Sequence, residues 1–188
     1  MAALHERAWA DALSMYAHRL TIAKVTRREH EDWALDVGTL MRGDAPDARG
    51  WHVNDAFAEE FERLDDPFYP FVEVPVDHAV DRLKLRLTEI SRTSARRFLV
   101  ALSTLWLNVE KVPDFEARRP GLEDDADVIL SRFPEGSAFY ANTGRDSRNM
   151  DYYQRISCCS PVSSYDWDLG LVLVSRMEVG MVWSFDPK

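Results

Sequence analysis

Two runs of branched and aromatic residues, Leu171–Val174 and Met181–Phe185, flank the turn-forming stretch SRMEVG within LGLVLVSRMEVGMVWSFD, residues 169–186. A strand with one wet face alternates apolar and polar residues, and neither run does so to any extent. The segment therefore predicts a β-hairpin lying centrally in a sheet, with helices covering both of its faces.

The 188 residues suit one domain, and 46% hydrophobic with 29% charged residues is the composition of an ordered, packed chain. A net charge of −9 disfavours nucleic acid and anionic membrane and permits a basic partner. The two cysteines are adjacent, Cys158-Cys159, where a bridge would need strained geometry and would close no loop; they read as reduced thiols of a cytoplasmic protein. The amino terminus, MAALHERAWADAL, has no continuous apolar core of a secretory signal, and no apolar run nears 20 residues, so no membrane contact is expected.

Periodicity predicts a long helix over 3–28, with Leu4, Ala8, Ala12, Tyr16 and Leu20 on one face, and a second over 29–41 that ends at the glycines and proline of GDAPDARG. Asn54 can cap a short helix reaching Leu64, and Pro67, Pro70 and Pro75 make 65–75 extended. Helices follow at 76–92 and 94–109, the second apolar enough to be central, with Phe98, Leu102, Leu105 and Val109 in one row. The polar stretch 113–135 reads as an acidic linker with a short helix at 125–132, and strands are expected at 137–141 and 151–157 before the hairpin. The expectation is one α+β domain: a mainly helical part, 1–112, packed on a small antiparallel sheet of about four strands, 136–188.

No catalytic signature accompanies this pattern. The five histidines form no HxH, HxxxH or HExxH, there is no CxxC, and His30-Glu31-Asp32 would fan out around a helix, so no metal is expected. Neither GxSxG, GxGxxG nor GxxxxGK[ST] occurs, which leaves no cofactor implied and no catalytic residue named. An alternative reading as a small hydrolase or transferase rests on Asp166 and Asp168, which share one side of an extended segment, or on the thiol of Cys158 beside the sheet.

Charge distribution says more. Between Glu29 and Asp77 fourteen carboxylates stand against three arginines, a net −11, whereas Arg82, Lys84, Arg86, Arg92, Arg96 and Arg97 oppose Glu89 for a net +5 over 82–97. Either the two segments neutralise each other, or the acidic one is a surface that steers a basic protein and anchors it on embedded aromatics. The second option makes Trp33, Asp36, Asp44, Asp47, Trp51, Asp55, Glu59, Glu62, Asp65, Asp66, Phe68 and Tyr69 candidate partner contacts. The expected function is a non-enzymatic protein-binding module, an acidic inhibitor or immunity-type protein that neutralises a basic toxin or enzyme. A homodimer stays open, since Trp51 or Trp183 would serve an interface as well as a core.

Overall fold

The computed structural model describes residues 2–17, 19–53, 68–76, 79–104, 107–144 and 148–186, with backbone alone at 2–5 and 51–53. In chain order its regular elements are α1 (Ala2–Ala12), a 3-10 turn (Leu13–Tyr16), β1 (Thr21–Arg27), α2 (Trp33–Arg42), β2 (Arg49–Val53) and α3 (Val80–Arg86). Then come β3 (Thr88–Ile90), α4 (Arg92–Leu102), a 3-10 turn (Val109–Lys111), α5 (Phe115–Ser131), β4 (Ala138–Ala141), β5 (Asp168–Val174) and β6 (Glu178–Phe185). The expected helix Asn54 to Leu64 lies outside the described residues.

The molecule is α+β with an antiparallel sheet, but the sheet has six strands, in the order β2-β1-β6-β5-β4-β3, and not four. Nor are the first two-thirds of the chain essentially helical: three of the strands, β1, β2 and β3, come from there. Thr21–Arg27 continues the spacing of α1 in sequence, yet Thr21, Ile22, Val25 and Thr26 are β-branched residues that favour a pleated backbone. Because both faces of β1 are buried, no alternation betrays it. At the other end of the prediction, 151–157 forms no strand. Asp151 instead accepts the main-chain N–H of Tyr153 and turns the chain, so that the buried Tyr152 ring packs 4.4 Å from Phe98.

The hairpin lies where its composition demands. Its strands pair from Asp168↔Phe185 to Val174↔Val179, and β6 carries β1 on its other edge. Leu169, Leu171, Leu173 and Val182 face one core with Trp9, Leu13, Tyr16, Phe98, Leu99 and Ile129, under α1, α4 and α5. Val172, Met181, Trp183 and Phe185 face a second core with Val37, Leu40, Leu83 and Phe71, under α2 and α3. Two helical layers thus cover the two sides of the hairpin, with the sheet as the layer between them.

The helices are bounded by local chemistry. Asp32 caps α2 by accepting Ala34 N–H at 3.1 Å, and Gly43, at φ 77, ends it in a left-handed turn. Ser91 accepts Ser94 N–H and caps α4, which begins at Arg92 where the sequence suggests 94. The stretch 115–131, expected as linker with a short helix, is a helix throughout. Pro120 removes only the bond to the carbonyl of Glu116, on an exposed face, and the Arg92 guanidinium closes the far end by donating to Leu130 and Phe133 carbonyls at 2.7 and 2.6 Å.

Candidate functional site

Trp33 opens α2, and its position there follows from the cap: Asp32, bonded to the helix backbone, fixes the direction in which the next side chain leaves. The half-buried indole lies flat on Tyr140 of β4, with centroids 4.8 Å apart and planes 17° from parallel. Lys84 of α3 reaches over it, its Nζ 5.9 Å from the ring centroid, and ion-pairs with Asp32. Against the opposing effect of burial, hydrogen bonds from Lys84 and Ala34 N–H hold the Asp32 carboxyl below the usual range. Glu31, Asp32, Trp33 and Lys84 line a shallow depression of about 380 Å³. The result is a rigid aromatic platform with a carboxylate rim, formed by three elements 107 residues apart at the extremes.

The other acidic candidates divide by the work they already do. Asp36 is no surface group: it is 1% exposed, and its oxygens accept the main-chain N–H of Glu29 and His30 and face His30 Nδ1 at 2.7 Å. Asp47 accepts Thr26 Oγ1 at 2.6 Å and Arg27 N–H at 3.0 Å, bonds that hold its pKa down, and pairs with Arg27 and Arg49. Asp44 is exposed beside Arg42. Phe68 is 39% exposed, while Tyr69 is half-buried against Tyr165, to which its hydroxyl is bonded. Asp55, Glu59, Glu62, Asp65 and Asp66 lie outside the described residues, as does the side chain of Trp51.

The complementary basic run is largely committed. Lys84 pairs with Asp32, Arg86 with Glu73, Arg96 with Glu123 and Asp127 at 3.2 and 2.9 Å, and Arg97 with Asp151 at 3.2 Å. With Arg92 spent on α5, five of the six cations have internal partners. Of these cations only Lys84 and Arg86 find their partners in the acidic 29–77 segment, so among the described residues the two charged runs neutralise each other only in part.

Asp166 and Asp168 do not share a side. Asp166 is exposed in a bend, and Asp168 is wholly buried at the start of β5. There Oδ1 accepts Asn142 Nδ2 and Trp183 Nε1, both at 2.9 Å, and Oδ2 accepts the N–H groups of Val162 and Ser163 and the Ser163 hydroxyl. Burial pushes its pKa up against the hydrogen bonds from Ser163, Trp183 and Val162. Cys158 is exposed, and Cys159 is partly covered, its thiol pushed by burial up to about 11. Among the described residues no three His, Cys, Asp or Glu side chains are grouped to hold a metal, and no described helix is long and apolar enough to cross a membrane.

Comparison with known proteins adds nothing to this geometry. No family model, curated protein or solved structure matches the chain. Of the residues that build the site, Tyr140 has no mark in the sequence, and Lys84 stands there only as one cation of the basic run. The signal for Tyr140 is the alternation that turns it to the face of β4 opposite Phe139, the face on which α2 packs.

Proposed function

We propose that this chain is a protein-binding module, an acidic inhibitor or immunity-type protein that occupies a basic surface of a toxin or enzyme. The observation that carries the reading is the Trp33 platform. An indole held flat by Tyr140 loses little conformational freedom on binding, and such aromatics, central and partly exposed, are the usual anchors of protein interfaces. Exposed Glu29, Glu31 and Asp44 supply negative charge in the same segment, in keeping with a basic partner. Asp36, being internal, has no part in this surface.

The test is direct binding. The chain is titrated calorimetrically with the product of the adjacent reading frame, whatever its charge, alongside W33A and E31K variants. A complex should form with inhibition of that protein, and W33A should weaken it at least about tenfold, roughly 1.4 kcal/mol. If the adjacent product neither binds nor is inhibited, or if W33A binds as tightly as the parent, the reading fails.

A further inference from the structure

The β5–β6 turn and the connection from α5 to β4 enclose a cleft of about 720 Å³, within the range of small-molecule sites. Its floor is the ion pair of Arg132 and Glu178, at 2.7 and 2.9 Å. Both groups are already engaged elsewhere, Arg132 with Glu6 and Glu178 with Arg49, so the floor gives shape and burial but little free charge. Arg92 takes the carbonyls of Leu130, in the last turn of α5, and of Phe133 just beyond it.

The walls and rim are different. Pro134 and Met177, the latter 75% exposed, give apolar surface. Arg176 is exposed and has no carboxylate partner among the described residues, and Arg27, also largely exposed, shares Asp47 with Arg49 and Thr26. In the wall, the Ser137 hydroxyl is shielded from solvent with no hydrogen-bond partner among the described residues. Two guanidiniums thus border an apolar hollow, with Glu135 as the opposing charge on the rim.

We propose that this cleft binds a small organic acid, its apolar body against Met177 and Pro134 and its carboxylate between Arg176 and Arg27. A monoanion suits the site better than a phosphate, because one guanidinium is unpaired and Glu135 stands close by.

The probe is 4-phenylbutyrate, titrated into the full-length chain and followed by amide proton–nitrogen correlation spectra, with 4-phenylbutanamide and 4-phenylbutylamine as neutral and cationic isosteres. Shifts should appear at Gly136, Ser137 and Arg176, and the acid should bind at least about fivefold tighter than the amide, the amine most weakly. R176A changes an exposed turn residue and should leave the rest of the spectrum in place while weakening the acid about fivefold or more; E135Q should strengthen it. The proposal is overturned if the acid produces no saturable shifts at these amides, if the amide binds as well as the acid, if R176A has no effect, or if E135Q weakens binding.

Discussion

Gly170 and Trp183 face each other across the β5–β6 register, and a Cβ on Gly170 would lie 2.0 Å from the indole. The fully buried indole packs directly on that bare backbone, edge-on to Phe71 at 6.0 Å, and donates to Asp168, which in turn gathers the main chain of Val162 and Ser163. One glycine therefore permits the largest side chain of the second core and, through it, the carboxylate that fixes the 162–163 loop. Trp183→Ala should cost about 3 to 5 kcal/mol by opening a cavity, and Gly170→Ala about 1 to 3 kcal/mol or more by overpacking. The double variant should cost little more than Trp183→Ala alone, since the added methyl then has room. Urea denaturation of all four proteins measures the coupling, and additive losses would show that the contact does not limit packing here.

Between elements, the Arg132–Glu178 pair does the corresponding work. Arg132 follows α5, Glu178 begins β6, Arg49 begins β2 and Glu6 lies on α1, so one charge network joins four elements, with the Arg132 guanidinium 5.0 Å from the Trp9 ring centroid. Burial raises the Glu178 pKa, but hydrogen bonds from Arg132 and Arg49 outweigh it and hold the group below the ordinary value. A carboxylate depressed in the folded state contributes stability above its unfolded pKa, about 4.3, and loses that contribution as pH falls through the folded value. Chemical denaturation at stepped pH should therefore show stability falling below about pH 4.3, a slope that Glu178→Gln makes shallower; an unchanged slope would mean the pair is unlinked to folding. The hairpin and the first part of the expected 94–109 helix were readable because uninterrupted apolar runs leave few alternatives, although α4 ends at Leu102, short of the expected 109. β1 was hidden by burial on both faces, β3 by being three residues at the end of α3, and α5 by Pro113 and Pro120, which mark a helix start as easily as a linker. Trp33 was visible as an aromatic in an acidic run, but its platform was not, because Tyr140 and Lys84 reach it only through the sheet. Asp36 misled for the converse reason: a run of like charges does not reveal which member turns inward to bind the backbone.

For the whole molecule, charge and anchor should appear in different rate constants. The chain carries −9, while five of the six cations in its basic run are held by its own groups, so its outer field is acidic and its attraction for a polyanion is weak. An acidic field acts on encounter and is screened over about 10 Å at 0.1 M salt and about 3 Å at 1 M. The stacked Trp33, by contrast, acts only after contact, when its exposed edge is desolvated. With the basic partner of the proposed complex, stopped-flow association should therefore slow steeply between low and high salt while dissociation changes little; W33A should leave the salt dependence intact and speed dissociation about tenfold or more. E31K should do the reverse, lowering the association rate and flattening its salt dependence, because Glu31 is exposed at the rim and not beneath the indole. If E31K and W33A instead move the same rate constant, steering and anchoring are not separable on this surface, and the platform is not the centre of the interface.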